Sequence, residues 1–266
     1  MRKSSVLRWA VWFFLAVLFA AACVLLSKWQ FERREEAVTK LQRVAANYDR
    51  EPEVIDPSWF SDKEIATKEW LPVKVQGEYL AKDQLLVRNR PIAGQPGYLQ
   101  LVPFRISTGE ILIVERGWIP ADSNLQPSKE FSVAGQKIEL TGRIRLSEQT
   151  PNRTSPAGQV TSIRLSDLSN LTGLNLEQAF YLRLISESPP ENEYPQSLGK
   201  PVLDEGNHLS YAIQWILFAL MGFFALFWAI KQEREYQRIE KDPNLRKPKR
   251  KSIDESEEDE ILDRIS

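Results

Sequence analysis

The chain has 266 residues and sets 35 lysines and arginines against 36 aspartates and glutamates, for a formal net charge of −1. That balance gives no electrostatic reason to expect nucleic acid as a partner. A single cysteine, a single histidine and two methionines exclude an internal disulfide, a paired-histidine zinc site and a soft-ligand copper carrier.

The pattern resolves from the N-terminus onward. Residues 1–8 are a short basic segment with Arg2, Lys3 and Arg8, and residues 9–26 are apolar without a charge. Crossing a ~30 Å hydrocarbon core takes ~20 such residues, and a bilayer forces them into a helix because no water satisfies the backbone. Ala16, Ala20 and Cys23 form a small-residue stripe on one face of that helix. A cleaved leader is the alternative reading, since Ala20-Ala21-Ala22-Cys23 resembles the box before a lipid-modified cysteine. Against it, Val24, Leu25 and Leu26 carry the apolar run past the supposed cut. Residues 31–46 have a charged helical pattern that continues the first span into water, with Glu36 and Lys40 at i,i+4, until Pro52 and Pro57 end helical structure.

Strands are predicted over residues 71–79, 84–89, 98–105, 111–114, 137–145 and 180–185 from β-branched runs and apolar alternation. Pro91, Gly94, Pro96 and Gly97 mark a loop, and Thr108-Gly109 a hairpin turn. Leu165, Leu168 and Leu171 fit one helix face, with Ser166 as cap and Gly173 as stop. Residues 186–200 lead back towards a second apolar run, residues 211–230, interrupted only by Gln214, whose amide is expected to face protein. Residues 231–266 are polar, with a basic and then an acidic block, and are expected to be disordered after about residue 242. The predicted architecture is two transmembrane helices flanking a β-rich (α+β) extracytoplasmic domain, residues 27–210, built as an antiparallel sheet or small barrel. Lys231, Arg234, Arg238 and Lys241 after the second span, with Arg2, Lys3 and Arg8 before the first, place both termini in the cytoplasm.

The only histidine, His208, stands where the second span begins, and Ala212, Trp215, Ala219 and Gly222 follow it down one helical face. Two readings stand for His208. An imidazole there can ligate a metal or haem iron through one nitrogen while the other donates a hydrogen bond, or it can simply mark the membrane interface. The small residues below it leave a groove that either a helix or a flat apolar ligand can fill. Arg116-Gly117-Trp118 offers either an arginine for a carboxylate or a turn arginine beside a core tryptophan. Trp29 and Gln30 fit an aromatic belt at the outer end of the first span. No glycine-rich phosphate loop follows a strand, and a serine triad would have to use His208 at the membrane edge, so an enzyme is not expected.

Taken together, these residues resemble the surfeit locus protein 1 family of cytochrome oxidase assembly factors. The resemblance rests on Trp29-Gln30 with Arg33, Gly77 with Tyr79, Gly97-Tyr98, Pro103, residues 114–120 around Arg116-Gly117-Trp118, and residues 207–215 from Asn207-His208 to Gln214-Trp215. One departure is Glu115, where the family pattern leads one to expect asparagine. The resemblance implies a role in building haem-copper oxidase, with haem a as transient cargo bound for the catalytic subunit of cytochrome c oxidase. It implies His208 as axial iron ligand. On that basis Trp215 is expected to wall the groove and Arg116 to pair with a propionate. The haem a synthesis machinery and membrane lipid are further expected partners. A non-haem-binding scaffold for oxidase subunits is the alternative. With so short a segment before the first span, the expected location is a bacterial cytoplasmic membrane.

Overall fold

This computed structural model describes residues 3–133 and 135–241; the tail beyond, expected to be disordered, lies outside the described residues. The chain divides into two compact units, residues 35–205 and the flanking segments 1–34 with 206–266. In chain order the elements are α1 (Lys3–Asn47), β1 (Glu53–Val54), two 3-10 turns (Pro57–Ser61 and Ile65–Lys68), β2 (Pro72–Tyr79), a 3-10 turn (Ala81–Asp83), β3 (Leu85–Val87), β4 (Gly97–Ile106), β5 (Ile111–Pro120), β6 (Lys137–Arg145), β7 (Gln159–Val160), α2 (Leu165–Thr172), β8 (Tyr181–Ser188) and α3 (His208–Lys241).

The domain unit is a closed five-stranded barrel. Neighbours pair in the order β2, β6, β8, β5, β4, and β4 returns to β2, with only the β5–β8 pair parallel. Closure needs a close approach at Gly77, opposite Ile106, where an added Cβ would lie 2.1 Å from the carbonyl oxygen of Arg105. Any side chain there would hold β2 off β4, which is why glycine occupies the seam. β3 extends the sheet beyond β4, and β7 pairs with β3.

Burial explains the sequence patterns. β6 has one face in the core and alternates, with Ile138, Leu140 and Ile144 inside. β4 and β5 are buried on both faces and read as near-continuous apolar runs. Val102, Phe104, Leu112 and Val114 point into the barrel. Leu99, Leu101 and Ile113 face outwards into a second core, under Leu165 and Leu168 of α2. Gly173 ends α2 in the left-handed conformation, as its sequence position implies. Ser166 does not cap the helix; Arg164 occupies that position without a side-chain cap bond, and Leu171 is exposed.

Inside the domain, the charged end of α1 is tied down rather than frayed. The Asn47 carboxamide donates to the carbonyls of Thr67 and Glu69 at 2.7 and 2.9 Å, and Arg143 Nε donates to the Tyr48 carbonyl at 3.3 Å. These bonds immobilise the end of the helix and supply a donor to the chain just beyond it. Val44, Tyr48 and Trp70 form a small core there, with the guanidinium groups of Arg143 and Arg145 each 3.7 Å from the ring centres of Tyr48 and Trp70.

The other unit is a helical hairpin. Both helices are long and apolar enough to cross a membrane. Ala16, Ala20, Cys23, Ser27 and Gln30 of α1, and His208, Ala212, Trp215, Ala219 and Gly222 of α3, are the less exposed positions of their segments. Both sets recur at alternating three- and four-residue steps, the 3.5-residue period of a left-handed helix pair. Small residues let the helices close: Ser27 Oγ donates to the Ala212 carbonyl at 3.0 Å, and a Cβ added at Gly222 would lie 3.3 Å from the Phe19 ring. Arg8 and Glu233 form an ion pair across the other end of the pair. Gln214, expected to face protein, is exposed on the outer side of α3, because the packed face is taken by positions 212 and 215.

Candidate functional site

The strand predicted over residues 111–114 continues to Pro120, so Arg116-Gly117-Trp118 lies within a strand and not in a turn. Gln100 pairs with Gly117 and Leu101 with Glu115, which leaves Arg116 as the extra residue of a β-bulge. The bulge turns its side chain into the domain. The guanidinium is fully enclosed, as is its partner Glu187, with Nε 3.3 Å from Glu187 Oε1. Nη1 donates to Gln100 Oε1 and to the Ser132 carbonyl. The rings of Tyr79 and Tyr194 lie on the guanidinium at 5.3 and 5.4 Å, and both hydroxyls donate to Glu187. Burial, and then the Glu187 charge, push the Tyr79 hydroxyl well above its ordinary value, so it remains a donor. The charge offered by the sequence to a propionate is therefore met inside the domain by Glu187.

Glu115, the departure from the family pattern, is buried beside it on β5. Its Oε2 accepts from Arg183 Nε at 3.0 Å on β8, while Oε1 has no hydrogen-bond partner among the described residues. Trp118 is a core residue whose indole N–H donates to the Arg90 carbonyl at 2.6 Å. These groups hold strands together and present no face to a ligand.

The hairpin carries a different constellation. His208 is the first residue of α3 and is half-buried. Its Nδ1 lies 2.9 Å from Gln30 Oε1 on α1. A carbonyl oxygen only accepts, so in this contact Nδ1 is the donor. A ring nitrogen that donates to a carbonyl is compatible with the other nitrogen acting as a metal ligand. The donor set fits one axial haem ligand, and among the described residues no cluster of three or more His, Cys, Asp or Glu could hold a bare metal ion.

Exposed charged and apolar side chains alternate nearby, among them Lys28 and Glu32 on α1. Trp29, beside Gln30 on α1, and Leu209, Tyr211 and Ile216 in the first turns of α3 are exposed. Trp215 stands on the packed face two turns below His208, edge-on to Phe218 with ring centres 5.7 Å apart. The groove expected below His208 is filled by α1, since Ala212 is fully buried against it through the Ser27 bond. Gln30 stood in the sequence reading as part of an aromatic belt and of the Trp29-Gln30 motif, without a link to His208. The signal was its seven-residue step from Cys23 on the small-residue stripe.

The pattern of the SURF1 family matches residues 17–220. Relatives include an uncharacterized SURF1-like protein of Mycobacterium bovis, 29% identical over 88% of this chain and 87% of its own. A SURF1-like protein of Rickettsia bellii is 30% identical over 72% of this chain and 79% of its own. Surfeit locus protein 1 of Gallus gallus is 29% identical over 53% of this chain and 49% of its own. Since the match begins in one apolar helix, takes in the whole barrel and ends in the other, this membrane protein belongs to the SURF1 family.

Proposed function

We propose that the protein is an assembly factor for haem-copper (cytochrome c) oxidase, in a bacterial cytoplasmic membrane, that holds haem a through His208 and passes it to the oxidase catalytic subunit. The observation that carries this reading is the His208–Gln30 contact, which leaves Nε2 as the available ligand atom at the start of α3. Haem a, when bound, would supply an iron for the His208 imidazole and a long apolar tail suited to the membrane edge. Single-point ligation keeps the affinity low enough for release, as a carrier requires. Trp215, on the face that α1 covers, supports the helix pair below His208. Arg116 serves the barrel and carries no cargo contact. The basic residues Lys231, Arg234, Arg238 and Lys241 support cytoplasmic termini and an extracytoplasmic domain.

The test is the visible spectrum of protein purified from cells making haem a. The parent should carry a haem band and His208→Ala should lose it; equal spectra would end the carrier role. A scaffold role without haem is favoured by one observation, the outward-facing Gln214 amide, which a partner's transmembrane helix would satisfy. In that case His208→Ala retains co-purification of oxidase subunits and no haem band is seen in either protein.

A further inference from the structure

We infer that Gln30 is a positioning residue that selects the Nδ1–H tautomer of His208 and so makes Nε2 the ligating nitrogen. The haem part of this inference rests on the function proposed above; the tautomer does not.

The argument is geometric. Two lone pairs 2.9 Å apart would repel, so the Nδ1···Oε1 contact exists only with a proton between them, and that proton belongs to the imidazole. Gln30 is held where it is by its helix. Its α1 neighbours on the same face are Ser27, bonded to the Ala212 carbonyl, and Cys23, fully packed. Ala212 in turn lies one turn from His208 on α3. The pair of helices is thus fastened next to the contact, and the carboxamide meets the imidazole without a loop to absorb error. A carboxamide fixes the ring and leaves its charge unchanged. A carboxylate in its place would fix the same tautomer and push more electron density towards a bound metal. An alkyl side chain would do neither.

The lone histidine makes this directly measurable. Protein labelled with 15N-histidine, in detergent or nanodiscs above the imidazole titration, yields one ring spin system. In the parent, Nδ1 should show a protonated pyrrole-type shift and Nε2 a pyridine-type shift. Gln30→Leu should move the population towards the Nε2–H form, and Gln30→Glu should keep the parental pattern. Titration with ferric haem should then show affinity falling about tenfold or more in Gln30→Leu, restored in Gln30→Glu. An Nε2–H ring in the parent, or an unchanged ring in Gln30→Leu, overturns the inference even if His208→Ala abolishes haem binding. The expected ring pattern with haem binding unaffected by His208→Ala keeps the tautomer assignment and removes the haem reading instead.

Discussion

The barrel and the helical hairpin use the same apolar side chains in opposite ways. In the barrel Leu140, Phe104 and Leu112 are wholly enclosed, and the charged residues that enter the core, Arg116 with Glu187 and Arg183 with Glu115, are paired. In the hairpin large residues such as Phe13, Leu217 and Phe224 are exposed, while the packed seam is mostly alanine, serine, cysteine and glycine, with Gln30, His208 and Trp215 among them. Water drives the first arrangement by expelling apolar surface. Lipid gives no such drive, so the hairpin closes on van der Waals fit and polar contacts, which only small residues permit. His208 sits on the second kind of seam, where polar contacts are few and each has geometric consequence.

That contrast can be broken first at the barrel's buried ion pair. Arg116→Met strands the Glu187 charge and should lower stability by about 3–5 kcal/mol, read by denaturant unfolding of the full chain in detergent. The double variant Arg116→Met, Glu187→Met should recover much of that loss. Full additivity of the two single losses would show that the groups do not act as a pair. Leu140→Ala should cost about 3 kcal/mol in the same assay, because the barrel cannot collapse around the void.

A smaller effect is expected at Glu148. Burial alone would raise its carboxyl, but the Arg90 guanidinium, the Ile163 N–H and the Ser162 hydroxyl outweigh burial and hold it below the ordinary range. A carboxyl depressed in the folded state adds stability above its unfolded pKa and loses it as pH falls through the folded value. Glu148→Gln should therefore be about 1 kcal/mol less stable near neutrality. Its deficit should shrink as the parent is acidified below the glutamate range; a deficit independent of pH would contradict the assignment.

The hairpin should respond least. Ser27→Ala removes one interhelical hydrogen bond and should cost about 0.6 kcal/mol. Leu220→Ala makes the same kind of truncation as Leu140→Ala at a position 61% exposed, and should change stability by less than about 0.5 kcal/mol. A loss at position 220 equal to that at position 140 would mean that α3 is buried against protein, and the two-solvent comparison would fail.

Much of the fold was legible because it is periodic over short stretches. The spans show as uncharged runs, the charged extension of α1 as a helical pattern ending before Pro52, and the six longer strands as β-branched or alternating segments. β1 and β7 have two residues each, too few to display any period. The bulge at Arg116 was illegible because it depends on β4, not on β5 alone. Of the site, His208 stood out as the single histidine at a span's edge, whereas Gln30 lies 178 positions away and nothing in its own stretch of sequence says which residue it meets.

Sequence alone determined the two lipid-suited helices, the β-rich segment between them and the place of the imidazole, since each follows from local composition and spacing. Tertiary structure decided that the barrel closes at Gly77, that Arg116 answers Glu187 within the core, and that Gln30 meets Nδ1 of His208. Those outcomes depend on contacts between residues remote in the chain, and a distance across helices or strands is written in no single stretch of sequence.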